Sequence, residues 1–167
     1  MTKGVSWAEF AASSPELAEL GGELFRAAVP AELHRSDSFT GYGFLATIRP
    51  DGGPRLAPVT PIMTGGRLYV AVAGRSPKVR DLRRDPRYAL HAFLGKDDAE
   101  FCVRGQAGET NDPATRAAVI DGGRGWTSIQ ADDVIYSFEI GEAYTTTWYH
   151  VSQPDTRPIR RHWRAAK

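Results

Sequence analysis

Apolar residues in the first thirty positions recur at three- and four-residue spacing, the period of helices. Ser6 with Glu9 fits a capping box and predicts a short helix through Trp7 and Phe10. Ser14-Pro15 opens a second helix, with Leu17, Leu20, Leu24 and Val29 on one stripe and Pro30 closing it. A stripe of this kind is the buried face of a helix that covers an open end or face of a sheet. From Tyr42 the period falls to two.

Gly43 to Arg49 predicts a strand, and Pro50-Asp51-Gly52-Gly53-Pro54 a turn. Arg55 to Met63 predicts the next strand, but Pro58 and Pro61 remove two backbone donors. That strand must lie at a sheet edge or carry bulges, which leaves backbone groups near Val59 and Thr60 free to face a ligand. Thr64-Gly65-Gly66 turns the chain into a strand over Arg67 to Ala73. Further strands are predicted at Arg87 to Leu94, Glu100 to Ala107, Val134 to Ile140 and Ala143 to Tyr149. A short helix opens at Thr110-Asn111-Asp112-Pro113 and runs to about Ile120. Six or seven antiparallel strands with short turns predict a small barrel. The expected organisation is one domain: a helical extension over residues 1–35, a barrel over 42–149 and a basic tail over 150–167.

Composition narrows the class. Of 167 residues, 21 are basic and 20 acidic, a balance that argues against a nucleic-acid-coating protein. One cysteine, Cys102, excludes an internal disulfide and a multi-cysteine zinc site. It alternates with Phe101 and Val103 and reads as a small core or wall residue. No apolar run approaches the ~20 residues that span a bilayer, and no charged-then-apolar signal opens the chain, so a cytoplasmic location is expected.

The segment Arg75 to Arg87 carries the most chemistry. Ser76 suits a helix N-cap and Pro77 the first helical position. The first-turn N–H groups are then expected to be free to face an anion, with Lys78 beside them. This makes a phosphorylated cofactor the leading idea. Arg80, Arg83, Arg84 and Arg87 read as a solvated face, with Asp81 and Asp85 at i,i+4 spacings that support salt bridging. His34, His91, His150 and His162 show no metal-ligand spacing, and no nucleophile elbow, dinucleotide fingerprint or P-loop occurs. If the protein is an enzyme, a bound cofactor brings the reactivity; the same lack of acid–base groups suits a non-catalytic cofactor-binding or carrier protein. A haem-handling protein would draw its axial ligand from His91 or His150.

Phe44-Leu45-Ala46-Thr47 before the Pro-Asp-Gly turn, Pro58-Val59-Thr60-Pro61, the Gly65-to-Val70 hairpin, Ser76 to Arg87, and Val103-Arg104-Gly105-Gln106-Ala107 together resemble the FMN-binding split β-barrel family, the pyridoxamine 5′-phosphate oxidase-like proteins. The resemblance is close over Phe44 to Ala107 and loose over the C-terminal third. It implies a mainly β fold with some α: a six-stranded antiparallel split barrel flanked by short helices. It also implies a homodimer with flavin in a groove between subunits, acting on a small conjugated substrate. Carried onto this chain, Pro58, Val59 and Thr60 line the isoalloxazine edge and Ala73 sits near the cofactor. Ser76 and Lys78 bind the phosphate, and Glu100 touches the ring or ribityl chain. The implied cofactor is FMN, with the 8-hydroxy-5-deazaflavin coenzyme as alternative. Two departures distinguish this chain from the family pattern. Ser-Pro-Lys stands where Ser-Arg-Lys is frequent, so Arg75 or Arg80 would have to supply the missing cation. Glu100 stands where Gln is frequent.

Overall fold

The computed structural model describes residues 4–35 and 38–166; residues 1–3 of the predicted extension and Lys167 of the predicted tail lie outside it. The first helix, α1 (Trp7–Ser13), has the predicted capping box: Ser6 Oγ accepts from Glu9 N–H, and the Glu9 carboxylate accepts from Ser6 N–H at 2.7 Å. The second, α2 (Pro15–Arg26), has Pro15 at its start and buries Leu17, Ala18, Gly21, Gly22, Leu24 and Phe25. Leu20 of the stripe is partly buried, and Val29 is buried just beyond the helix.

Nine strands among the described residues form one antiparallel sheet: β1 (Phe39–Thr40), β2 (Gly43–Ile48), β3 (Pro54–Val59), β4 (Pro61–Thr64), β5 (Arg67–Ala73), β6 (Arg87–Ala92), β7 (Glu100–Thr110), β8 (Asp133–Tyr149) and β9 (Arg157–Arg164). Helix α3 (Pro77–Arg84) links β5 to β6, and α4 (Pro113–Gly122) follows β7. The sheet order is β1-β4-β5-β8-β7-β6-β2-β3, with β9 added to β8. One residue, Thr60, joins β3 at one end of that order to β4 near the other. The sheet must therefore curl until its ends meet at Thr60, although no ladder seals them. This is a split barrel.

Four sequence expectations change. The predicted strand Arg55 to Met63 is two strands, because the proline pair breaks it at Thr60; β3 is an edge strand, as Pro58 requires. The segments Val134–Ile140 and Ala143–Tyr149 are one strand. Gly141, which reads as a separator, is the extra residue of a bulge: Gly105 pairs with Ile140 and Arg104 with Glu142. A Cβ on Gly105 would lie 1.9 Å from the Glu139 carbonyl oxygen, so this close approach needs glycine. The basic tail is strand β9, paired with β8 from Glu142 to Tyr149. The sheet therefore exceeds the predicted six or seven strands.

One edge of β8 shows how the backbone groups are satisfied. Strand β5 covers residues 133–138 and β9 covers 142–149. Val5 fills the gap between them by exchanging both backbone hydrogen bonds with Ile140, at 3.0 and 2.8 Å. The helical extension is thus stitched into the sheet. Its aromatic residues fill the barrel end: Trp7 meets Phe10 and Phe39 edge-on at 5.5 and 5.2 Å, and Phe25 meets Phe101 at 5.7 Å. The face of α2 at Gly21 is flat enough for the Phe101 ring to lie against it; a Cβ there would sit 2.4 Å from that ring.

Candidate functional site

Helix α3 begins as its sequence requires. Ser76 is extended (φ −62°, ψ 140°), and its hydroxyl oxygen accepts from Lys78 N–H at 3.3 Å. Val79 N–H donates to the Ser76 carbonyl at 3.1 Å. The expectation of free first-turn N–H groups is thereby corrected: Pro77 has none, and those of Lys78 and Val79 are taken by Ser76. What remains for an anion is the Ser76 hydroxyl proton and the Lys78 ammonium.

Lys78 has no hydrogen-bonding or ion-pair partner among the described residues. Partial burial pushes its pKa below the usual lysine range, and the positive charge of Arg55 pushes it further the same way. Lys78 lines a cleft of about 250 Å³, and the Arg55 charge acts on it from the neighbouring strand. Pro58, Val59 and Thr60 form one wall, at the break between β3 and β4. Ala71, Val72 and Ala73 at the end of β5 form the floor, and Ser76 and Lys78 form a second wall. The third wall is the loop before β8, through Thr127 and Ser128, with Asp133 at the start of β8. Arg116 of α4 fixes that loop by donating to the carbonyls of Gln130 and Asp133, the latter at 2.9 Å.

Six of the seven residues expected at the cofactor thus share one cleft. Glu100 does not. It starts β7, opposite Thr146, whereas the cleft touches β8 at Asp133. The thirteen residues between these points make about 40 Å of extended strand. Within one chain Glu100 therefore lies apart from this cleft.

Arg55 and Asp81 escape sequence reasoning. Asp81 is 1% exposed. Its Oδ2 accepts from Arg55 Nε at 2.6 Å and from Thr47 Oγ1 at 3.0 Å. Burial alone would raise the Asp81 pKa, but these two hydrogen bonds and the nearby Arg55 and Arg84 charges outweigh it and hold it below the usual carboxylate value. The cation missing from the Ser-Pro-Lys pattern has a candidate in Arg55, whose charge acts on Lys78; neither Arg55 nor Arg75 nor Arg80 lines the cleft itself. Arg84 is not a free solvated cation either: it donates to the Ile48 carbonyl and lies 3.6 Å from Asp81. Arg83 pairs with Glu109 and Arg87 with Asp85, so the i,i+4 pairs expected within the helix give way to bridges across elements and to a local one. In the sequence Asp81 was legible only as a salt-bridging partner within the basic helix, not as a buried partner of Arg55 and Thr47.

Beside the cleft runs a ladder of four rings. Phe44, whose Cα partner is the cleft residue Pro58, meets Phe93 at 4.7 Å. Tyr42 stacks on Phe93 at 5.6 Å and meets Trp126 at 5.1 Å, next to the cleft residue Thr127. Tyr42 and Phe44 are exposed. The histidines lie elsewhere: His91 faces out from β6 beside Cys102, and His150 pairs with Asp155. Cys102 is buried, as its alternation implied.

No protein-family model matches the chain, and no curated protein does. Solved structures do. A heme binding protein from Mycobacterium smegmatis aligns with a TM-score of 0.57 and 20% identity over 85% of this chain, which spans 57% of that one. A protein related to general stress protein 26, from the pyridoxinephosphate oxidase family of Clostridium acetobutylicum, gives 0.56 and 13% over 92% and 94% of the two chains. An F420 reductase gives 0.51 and 25% over 61% and 87%. The chain therefore shares the split-barrel fold of these solved structures, one of which is described as belonging to the pyridoxinephosphate oxidase family. No helix among the described residues is long and apolar enough to cross a membrane.

Proposed function

We propose that this chain is a flavin-dependent oxidoreductase that holds FMN in the cleft between the β3–β4 break and the start of α3. The observation that carries this reading is Lys78: a partly buried ammonium with no protein partner among the described residues, lining a cleft beside a second cation. A phosphate monoester relieves that repulsion and receives charge-assisted hydrogen bonds from Lys78 and from the Ser76 hydroxyl. Arg55 adds charge from the neighbouring strand. Pro58 to Thr60 offer a narrow, largely apolar wall for the ring edge, and Asp133 lines the cleft from the start of β8.

Bound there, the flavin supplies reversible hydride and electron transfer. The chain's own residues bind, orient and exclude water. A planar, conjugated substrate suits the Phe44–Phe93–Tyr42–Trp126 ladder, because offset and edge-on ring contacts favour flat partners. The cleft volume falls below the ~300–1,000 Å³ usual for small-molecule sites. A second copy of the chain completes it in this reading, docking on the outer face of β2 and β3 where Phe44, Leu56 and Pro58 are exposed. The 8-hydroxy-5-deazaflavin coenzyme is the second reading, favoured by the acid count at the seat: Asp81 occupies Arg55, and Asp133 lines the same cleft. Such a seat balances a singly charged phosphodiester more easily than a doubly charged monoester.

Calorimetric titration of the purified protein with FMN, riboflavin and the deazaflavin tests the proposal. FMN binding tighter than ~100 μM, about 5.5 kcal/mol, with riboflavin weaker, supports it. Tighter binding of the deazaflavin selects the second reading, and no binding of either refutes both. Oxidation of the reduced, loaded protein by quinone and nitroaromatic acceptors then separates an enzyme from a carrier.

A further inference from the structure

We propose that Asp81 is a positioning residue: through Arg55 and Thr47 it fixes the start of α3 against the strand that carries Pro58 to Thr60, and so sets the distance between the anion seat and the ring wall. The inference rests on the cleft being the flavin site proposed above.

The carboxylate of Asp81 gathers contacts from both strands of the β2–β3 hairpin. Thr47 reaches it from β2 at 3.0 Å and Arg55 from β3 at 2.6 Å. Arg84, one turn on in α3, lies 3.6 Å from its second oxygen and also donates to the carbonyl of Ile48. Asp81 follows Lys78 by three residues on the helix, so the two share one side of α3. Arg55 precedes Pro58 by three residues on β3. One carboxylate therefore couples the two walls of the cleft. Rotation of α3 about its axis would carry Lys78 away from the cleft, and the Asp81 contacts oppose it.

Stability alone does not explain the arrangement. A buried ion pair loses much of its attraction to desolvation, and a well-packed apolar pair of similar volume is often as stable or more so. A directional set of hydrogen bonds does what an apolar pair cannot: it fixes one orientation of the helix and of the Arg55 guanidinium. Only Nε of Arg55 is engaged by Asp81, and its η nitrogens have no hydrogen bond among the described residues.

A rival role makes the opposite prediction. If Asp81 served only to cancel the charge of Arg55, removing its charge would tighten anion binding. The test is the ratio of FMN to riboflavin affinity, read by flavin fluorescence in the full chain, because that ratio isolates the phosphate from the ring. Asp81→Asn is expected to lower the ratio about tenfold, the scale of one charge-assisted hydrogen bond, while riboflavin affinity stays within about twofold. Thr47→Val should lower it less, and Thr47→Ser, which keeps the hydroxyl, should leave it unchanged. A ratio that is unchanged or raised in Asp81→Asn overturns the proposal, as does an equal loss for both flavins. Should Asp81→Asn fail to fold in a thermal melt, the Thr47→Val and Thr47→Ser pair decides by the same criterion. If the unaltered chain shows no preference for FMN, the phosphate-seat reading falls and this proposal with it. If it prefers FMN and both variants keep that preference, only this proposal falls.

Discussion

Replacing Lys78 with alanine removes a partly buried cation that has no ion-pair partner among the described residues and lines the cleft. A unit charge about 4 Å from a phosphate oxygen is worth about 4 kcal/mol at an effective dielectric constant of 20. Desolvation of the ammonium normally consumes much of that. Here part of the desolvation is already present in the unliganded protein, since burial pushes the Lys78 pKa down before any ligand arrives. The remaining exposure screens the pair. The expected loss therefore lies in the upper part of the range for hydrogen bonds to charged groups, about 2–3 kcal/mol, or roughly 30- to 150-fold in FMN affinity. Riboflavin affinity should not change. The pH dependence supplies an internal check. The protonated ammonium and the doubly ionised phosphate are the forms that bind, so FMN affinity should be flat from above the second phosphate ionisation, about pH 6, and fall as pH rises through the lowered Lys78 pKa. In Lys78→Ala that falling limb disappears. The unliganded protein carries the opposite sign: between the lowered folded pKa and the ordinary lysine value the unfolded chain holds more protons, so stability rises with pH. Isothermal titration over a pH series measures the binding limb. Equal losses for FMN and riboflavin, or an unchanged pH profile in the variant, would refute the reasoning.

Three further outcomes follow from the same structure. Gly21→Ala forces a methyl group against the Phe101 ring, which the aromatic cluster holds in place; urea unfolding should show a loss of about 1–3 kcal/mol. The Asp81 carboxyl titrates below its unfolded value, so its contribution is complete above the unfolded carboxylate pKa and is lost as pH falls through the lowered folded one. Acid unfolding of Asp81→Asn, followed by circular dichroism, should lack that component. Leu56, 64% exposed on the outer face of β3, should be covered in the proposed dimer; Leu56→Glu should raise the dimer dissociation constant at least about tenfold in sedimentation, the order expected for losing one buried leucine.

Local rules made much of the fold legible. The Ser6–Glu9 box, the Ser76-Pro77 start and the Asp112-Pro113 start each require only neighbours in sequence, and each is present. The proline pair at 58 and 61 announced an edge strand and a disturbed backbone, and both exist. Legibility failed where the deciding partner is distant. Gly141 reads as the end of a strand because glycine often is; only β7, passing across the bulge at Gly105, shows that the strand continues. Residues 150–167 read as a basic tail, with no strand expected there, yet an exposed strand, Arg157–Arg164, on the free edge of β8 tolerates charges on both faces. Glu100 was assigned through resemblance alone, and the register of β7 on β8 carries it away from the cleft.

The sequence by itself determined where helices begin, where strands break, and that Ser76 and Lys78 stand together at a helix start. Those properties follow from capping, proline geometry and periodicity, which act over a few residues. Only the tertiary structure decided that the Arg55 charge acts on Lys78, that Asp81 is buried against the β2–β3 hairpin, and that the start of β8 lines the cleft. Each of these rests on strands brought together from distant parts of the chain. Electrostatic and packing energies depend on separation in space, and a linear sequence does not record that separation.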